Sequence, residues 1–252
     1  MTQKVAITGP YGAIGTVLMN RLEGYERIPL DREDYDISDI TRVRAGINGC
    51  DTVIHLALDP EIENIGLANV REKDDPEYHR VLARNVLNAS SESDTVRRVI
   101  LASSIHALNY ANWKGPGYLS PDHDTELFRN KKFDPTNSYG RTKRYIEGKG
   151  REFTELDTQE RDSPLEVVCV RFGGVNEEDL PLWPDYQRIY LSHRDLVNLI
   201  STILQTPVNP GSFSVVYGVS NNQTRVHDYS KPFEWTPLDD AVKIAQEKMT
   251  PT

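Results

Sequence analysis

Residues 137–143 read NSYGRTK, with a tyrosine four positions before a lysine at the start of a helical pattern. Four residues is about one helical turn, so Tyr139 and Lys143 share a face, and a phenol and an ammonium can act on one small volume. A free phenol titrates near ~10 and is a poor base at neutral pH. A neighbouring cation favours the phenolate, which would let Tyr139 take a proton from an alcohol. The same spacing arises by chance on many helix surfaces, so the pair acquires meaning only from what the rest of the chain places beside it.

Two further stretches supply that company. TGPYGAIG, residues 8–15, follows the apolar run KVAIT and opens a helical pattern, with Gly9, Gly12 and Gly15 three apart. Glycines at a strand-to-helix turn allow the tight turn, close approach of backbone to a pyrophosphate and close helix-on-strand packing. A bare three-glycine pattern is common, and the flanking strand and helix are what make this one a dinucleotide site. Asp31 stands sixteen residues after Gly15, at the end of ERIPL, where an acidic side chain meets ribose hydroxyls. Its charge repels a 2′-phosphate and so favours NAD, while Arg32 keeps NADP open. The stretch ASSIH, residues 102–106, brings Ser103, Ser104 and His106 to the end of another strand. A serine hydroxyl there could hold a substrate oxygen while Tyr139 moves the proton, with His106 touching substrate.

The elements that position these groups follow from apolar periodicity. KVAIT, ERIPL, DTVIHLA, RRVILAS, LEVVCVRF and FSVVYGV read as strands. GTVLMNRLEG, DITRVRAGING, PEYHRVLARNVLNASS, SYGRTKRYIEGKGREFTEL and HRDLVNLISTILQT read as the helices between them. This alternation predicts an α/β, Rossmann-type doubly wound parallel sheet, with ligands beyond the carboxyl ends of the strands. One domain is expected over 1–252, with small substrate-capping elements mainly from 173–192 and 219–252. The connections 59–75 and 109–136 are long and are expected to shape a site.

At 252 residues the chain can bury a sizeable core, and its net charge of −9 argues against nucleic acid or an anionic membrane surface as partners. No apolar run approaches the ~18 residues of a bilayer span and MTQKVAITG does not resemble a signal peptide, so a cytoplasmic location is expected. Cys50 and Cys169 lie far apart, show no metal-ligand spacing and are expected to be reduced and structural. Small molecules are the expected partners, with a homo-oligomer left open.

With TGPYGAIG, ASSIH and YGRTK in that order, the chain resembles the extended short-chain dehydrogenase/reductase superfamily, the NAD-dependent epimerase/dehydratase group. The resemblance implies Tyr139 as general base, Lys143 as nicotinamide-ribose ligand and modulator of Tyr139, and Ser104 as the group that orients substrate. It also implies NAD contacts from Gly9, Gly12, Ala13, Ile14, Gly15, Asp31 and Ser103, and Asp36 and Ile37 flanking the adenine. Leu56, Ala57 and Leu58 would line the dinucleotide path, with Asn85 supporting the site from its helix.

Within that group the chain looks most like uronate dehydrogenases and archaeal NAD-dependent glucose-6-phosphate dehydrogenases, through SS-x-H, LSHRD at 191–195 and VVYGVSNN at 215–222. It departs from them at Ile105, where asparagine is usual, at Gly174, where serine or asparagine is usual, and at Asp185, where arginine is usual. Arg188 is the nearest replacement for that arginine. The expected reaction is oxidation of the anomeric hydroxyl of a small anionic sugar to a lactone, a hexuronate ahead of a hexose phosphate, with His106, Arg188 and His193 as its cationic groups. The alternatives are a nucleotide-sugar epimerase or dehydratase and a non-catalytic NAD(H)-binding sensor.

Overall fold

The computed structural model describes residues 2–58, 76–160, 162 and 164–249. The long connection 59–75 lies outside them. Six parallel strands form one sheet in the order β2-β1-β3-β4-β5-β6: β1 Lys4–Thr8, β2 Glu26–Leu30, β3 Thr52–His55, β4 Arg98–Ser104, β5 Glu166–Phe172 and β6 Phe213–Gly218. All six coincide with the apolar runs read as strands. Alternate residues of each strand feed opposite faces, as the pleat requires. Val5, Ile7, Ile54, Ile100, Val168 and Val170 pack under α1 (Ala13–Arg21) and a C-terminal helix, His193–Gln205. Ala6, Val53, Val99, Leu101, Val167 and Cys169 face the other way, under α2 (Ile40–Gly46), α3 (Pro76–Ser91) and the long helix Ser138–Glu160. Cys50 and Cys169 are both free and buried. The chain leaves β1 for β2 on one side and returns to β3 on the other, so the strand order reverses between β1 and β3. That crevice is where such sheets bind ligands.

Beyond the carboxyl edge a third apolar cluster joins Ile105, Leu119, Leu127, Tyr186, Tyr190, Tyr217 and Val219. The stretch 109–136, read as a connection, folds into 3-10 turns and a short helix, α4 (Asp124–Leu127). The long helix is then α5, followed by α6 (Pro184–Gln187), α7 (His193–Gln205) and α8 (Ala241–Met249). Ser192 caps α7 by accepting from the Asp195 amide at 3.1 Å. The Asp195 carboxylate then accepts from the Leu238 and Asp239 amides at 2.8 and 3.0 Å and from Ser220 Oγ at 2.7 Å. Asn222 adds bonds to the Tyr190 carbonyl and the Ala241 amide. LSHRD and VVYGVSNN therefore dock the C-terminal tail onto the sheet. Among the described residues no helix is long and apolar enough to cross a membrane.

Candidate active site

The cleft at the strand-order reversal, about 240 Å³, is lined by Gly9, Gly12, Asp31, Arg32, Tyr35, Asp36, Ile37, Ala57 and Leu58, among others. Gly9 has φ +65°, and a Cβ there would sit 2.9 Å from the Ala57 backbone, so only glycine lets the end of β1 lie against the end of β3. A Cβ on Gly15 would run into the backbone of Gly9 and Pro10, which is how the start of α1 packs so closely on the turn. No side chain caps α1 and no acid stands in its first turn, leaving its amides and positive dipole end for an anion. Thr8 Oγ1 accepts from the Leu56 and Ala57 amides at 3.2 Å each and so fixes the far wall. Asn85 Nδ2 donates to the Ile37 and Ser38 carbonyls at 3.0 and 2.8 Å, holding the turn that carries Asp36. These groups fit a dinucleotide, with the acid at Asp31 suited to a bare ribose.

Further along the carboxyl edge, past β3, β4 delivers Ser104 and α5 delivers Tyr139. Ser104 Oγ accepts from the His106 amide at 3.2 Å and lies near enough to the Tyr139 phenol to favour its ionised form. Lys143 is buried, with Nζ donating to the Ala102 carbonyl at 2.8 Å and lying 5.5 Å from the centre of the Tyr139 ring. Gly140 makes this approach possible, because a Cβ there would lie 2.9 Å from Pro135 Cβ and closer still to the His106 carbonyl oxygen. Burial pushes the Tyr139 phenol above its ordinary value, where the sequence led us to expect lowering by Lys143. Burial also brings Lys143 down to about 8. Desolvation thus outweighs pairing in the protein alone.

Other expectations are redirected. The Ser103 hydroxyl donates to Glu147 at 2.5 Å, so its proton is already engaged. Desolvation lowers the His106 pKa, so its ring is a neutral hydrogen-bonding group; its Nε2 is buried and without a partner among the described residues. His193 is taken up by the turn before α6, its Nε2 2.7 Å from the Asn176 carbonyl oxygen and its amide donating to Asp179. Gly174 is covered by the Tyr186 ring, in the space that a side chain at 174 would fill, and has no open face for substrate. Ile105 is buried in the apolar cluster. Arg188 is exposed at the end of α6, and its charge acts on Tyr110 and His227.

Tyr110 and His227 escaped the sequence reading. The rings of Tyr139, His106, Tyr110 and His227 run in series, with centroids 6.4, 5.8 and 4.9 Å apart. His227 reaches this row because its strand-like segment pairs with Leu119, more than a hundred residues earlier.

A doubly wound sheet with a pyrophosphate-ready turn at its reversal, and a tyrosine, lysine and serine together at the carboxyl end of β4, defines a nicotinamide-dinucleotide oxidoreductase. The model of the NAD dependent epimerase/dehydratase family matches residues 5–173, and the chain belongs to that family, with NAD as its cofactor. Its relatives include an NAD-dependent glucose-6-phosphate dehydrogenase of Haloferax volcanii, 25% identical over 96% of this chain and 100% of the relative. A uronate dehydrogenase of Agrobacterium fabrum is 26% identical over 95% of this chain and 86% of its own length. The crystal structure of uronate dehydrogenase from Agrobacterium tumefaciens superposes with a TM-score of 0.74 at 22% identity, over 99% of this chain and 90% of the other.

Proposed function

We propose that the protein is an NAD-dependent dehydrogenase that oxidises the anomeric (C1) hydroxyl of a hexuronate to the lactone. The observation that carries this reading is the convergence of Ser104, Tyr139 and Lys143 on the same carboxyl edge of the sheet as the glycine-rich turn. NAD, when bound, supplies the hydride acceptor. In this reading Ser104 Oγ holds the sugar hydroxyl and Tyr139 Oη takes its proton. The phenolate that this requires is favoured by the positive charge of Lys143 and of the oxidised nicotinamide ring, which together oppose the effect of burial. Segments 173–192 and 219–249 cap the sugar, with Arg188 as the carboxylate-binding cation and Tyr110 and His106 along the wall.

The departures at 105, 174 and 185 leave Arg188 to carry the anion selectivity, and its planar fork suits a carboxylate. A hexose phosphate is the second reading, favoured by the full-length match to the Haloferax relative. Tyr139→Phe tests the chemistry. It should lower turnover on galacturonate or glucuronate by at least about 10² while NAD affinity, measured by calorimetry, stays within about threefold. A variant retaining more than a tenth of wild-type turnover would remove Tyr139 from the mechanism.

A further inference from the structure

Behind the Tyr139–Lys143 pair lies a buried charge cluster that the reaction just described does not use. Arg171 on β5 is fully buried. Its Nε and Nη2 donate to Glu147 at 2.8 and 2.7 Å, and Nη1 and Nη2 donate to Asp124 at 2.9 and 2.8 Å. Nη1 also donates to the Tyr217 hydroxyl at 2.9 Å. One guanidinium thus faces two carboxylates, and the charge of Arg151, one turn beyond Glu147 on α5, also acts on Asp124. Lys143 stands one turn before Glu147 on the same face of α5, also buried, and the carboxylate's charge acts on it. Glu147 also receives the Ser103 hydroxyl at 2.5 Å, so it grips the strand residue immediately before Ser104.

We propose that Glu147 is a positioning residue for the dehydrogenase site: its carboxylate, held by Arg171, keeps the Lys143 ammonium charged in its buried seat and fixes the end of β4 that carries Ser104. The inference rests on the role given to Lys143 above. Arg171 and Asp124 already form a two-bond ion pair, so Glu147 is not needed to satisfy the guanidinium's charge. The groups that face Lys143 from the neighbouring elements supply no other counter-charge. Burial holds the Cys169 thiol on β5 protonated, His55 on β3 is pushed down to about 3 and is neutral, and Tyr139 is pushed up. Burial lowers Lys143; Cys169 and then Glu147 oppose that lowering, and with the Cys169 thiol held protonated by burial the carboxylate is the charge that remains.

The test is the pH dependence of NAD affinity, read by calorimetry from pH 6 to 10, in wild type, Glu147→Gln and Glu147→Asp. In wild type the affinity should weaken above a break near pH 8, as Lys143 loses its proton. Without the carboxylate the break should fall by about one unit. At pH 8 the charged fraction then drops from about one half to about one tenth, so NAD should bind about fivefold more weakly than to wild type. Glu147→Asp keeps the charge but draws it back by one methylene, and its break should fall between the two. A wild-type break that Glu147→Gln leaves in place overturns this inference alone. A flat wild-type profile overturns the Lys143 role and this inference with it. If Glu147→Gln does not fold, a break in Glu147→Asp at the wild-type pH overturns the inference.

Discussion

Gly140→Ala adds one methyl at the point where α5 meets the end of β4. The new Cβ would stand 2.9 Å from Pro135 Cβ and nearer still to the His106 carbonyl oxygen, against the roughly 3.5 Å of ordinary contact. Both neighbours are firm, one a proline ring and the other backbone, so the start of the helix must retreat by about 1 Å. Tyr139 precedes the substituted residue, so the retreat draws its phenol away from Ser104. A misplacement of that size costs on the order of 10² in rate, and the overpacking costs about 1–3 kcal/mol of stability. The assay is NADH formation under saturating NAD, alongside thermal unfolding. The control is Gly148→Ala, two turns along the same helix, where nothing lies within 4 Å. That change should stabilise the protein by up to about 1 kcal/mol and leave the rate unchanged, because alanine is the better helix former. Gly140→Ala with a rate within threefold of wild type would refute the claim that close packing at Gly140 sets the Ser104–Tyr139 geometry.

Three more expectations concern cofactor, substrate and pH. Asp31→Ala should narrow the preference for NAD over NADP, seen in the ratio of their kcat/KM values, because the charge that repels a 2′-phosphate is gone and Arg32 remains; an unchanged ratio would take Asp31 out of cofactor choice. Arg188→Ala should raise KM about ten- to a hundredfold for an anionic sugar and much less for its neutral analogue, the loss expected for a charge-assisted bond of ~1.5–3 kcal/mol. Equal changes for both sugars would make Arg188 a surface residue. His55 and His227 are both lowered to about 3 by burial, so below about 6.5 the unfolded chain takes up protons that the folded chain cannot. Their contribution to stability is complete above that pH and is lost as the pH falls toward 3, about 2 kcal/mol each at pH 5. His227→Phe should therefore flatten the loss of stability between pH 6.5 and 5, measured by urea unfolding.

The sheet and cofactor turn were legible because they are local: apolar alternation marks strands, and a glycine-rich turn between strand and helix marks a pyrophosphate site. That Tyr139 and Lys143 share a helix face and Ser104 ends a strand was legible for the same reason, while the roles proposed for them come from the family resemblance. What the sequence hid depends on partners far along the chain. Glu147 meets Arg171 across 24 residues, Asp195 meets Leu238 across 43, and His227 sits by Tyr110 only because the tail folds back on Leu119. None of these pairings leaves a periodic trace. The error over Tyr139 has a physical source too: spacing shows that a cation is near, but the cost of burying the phenolate is invisible until the surroundings are known.

In the proposed reaction a hydride leaves C1 of an anionic sugar and stays on the dinucleotide. The most direct measurement is mass spectrometry of the cofactor after incubating NAD with galacturonate or glucuronate deuterated at C1. NADH carrying the deuterium is expected, together with the lactone or the aldarate formed from it, and at least about 10²-fold slower transfer with Tyr139→Phe. Deuterium retained at C1 with no NADH released, from either uronate and from glucose 6-phosphate, would contradict it.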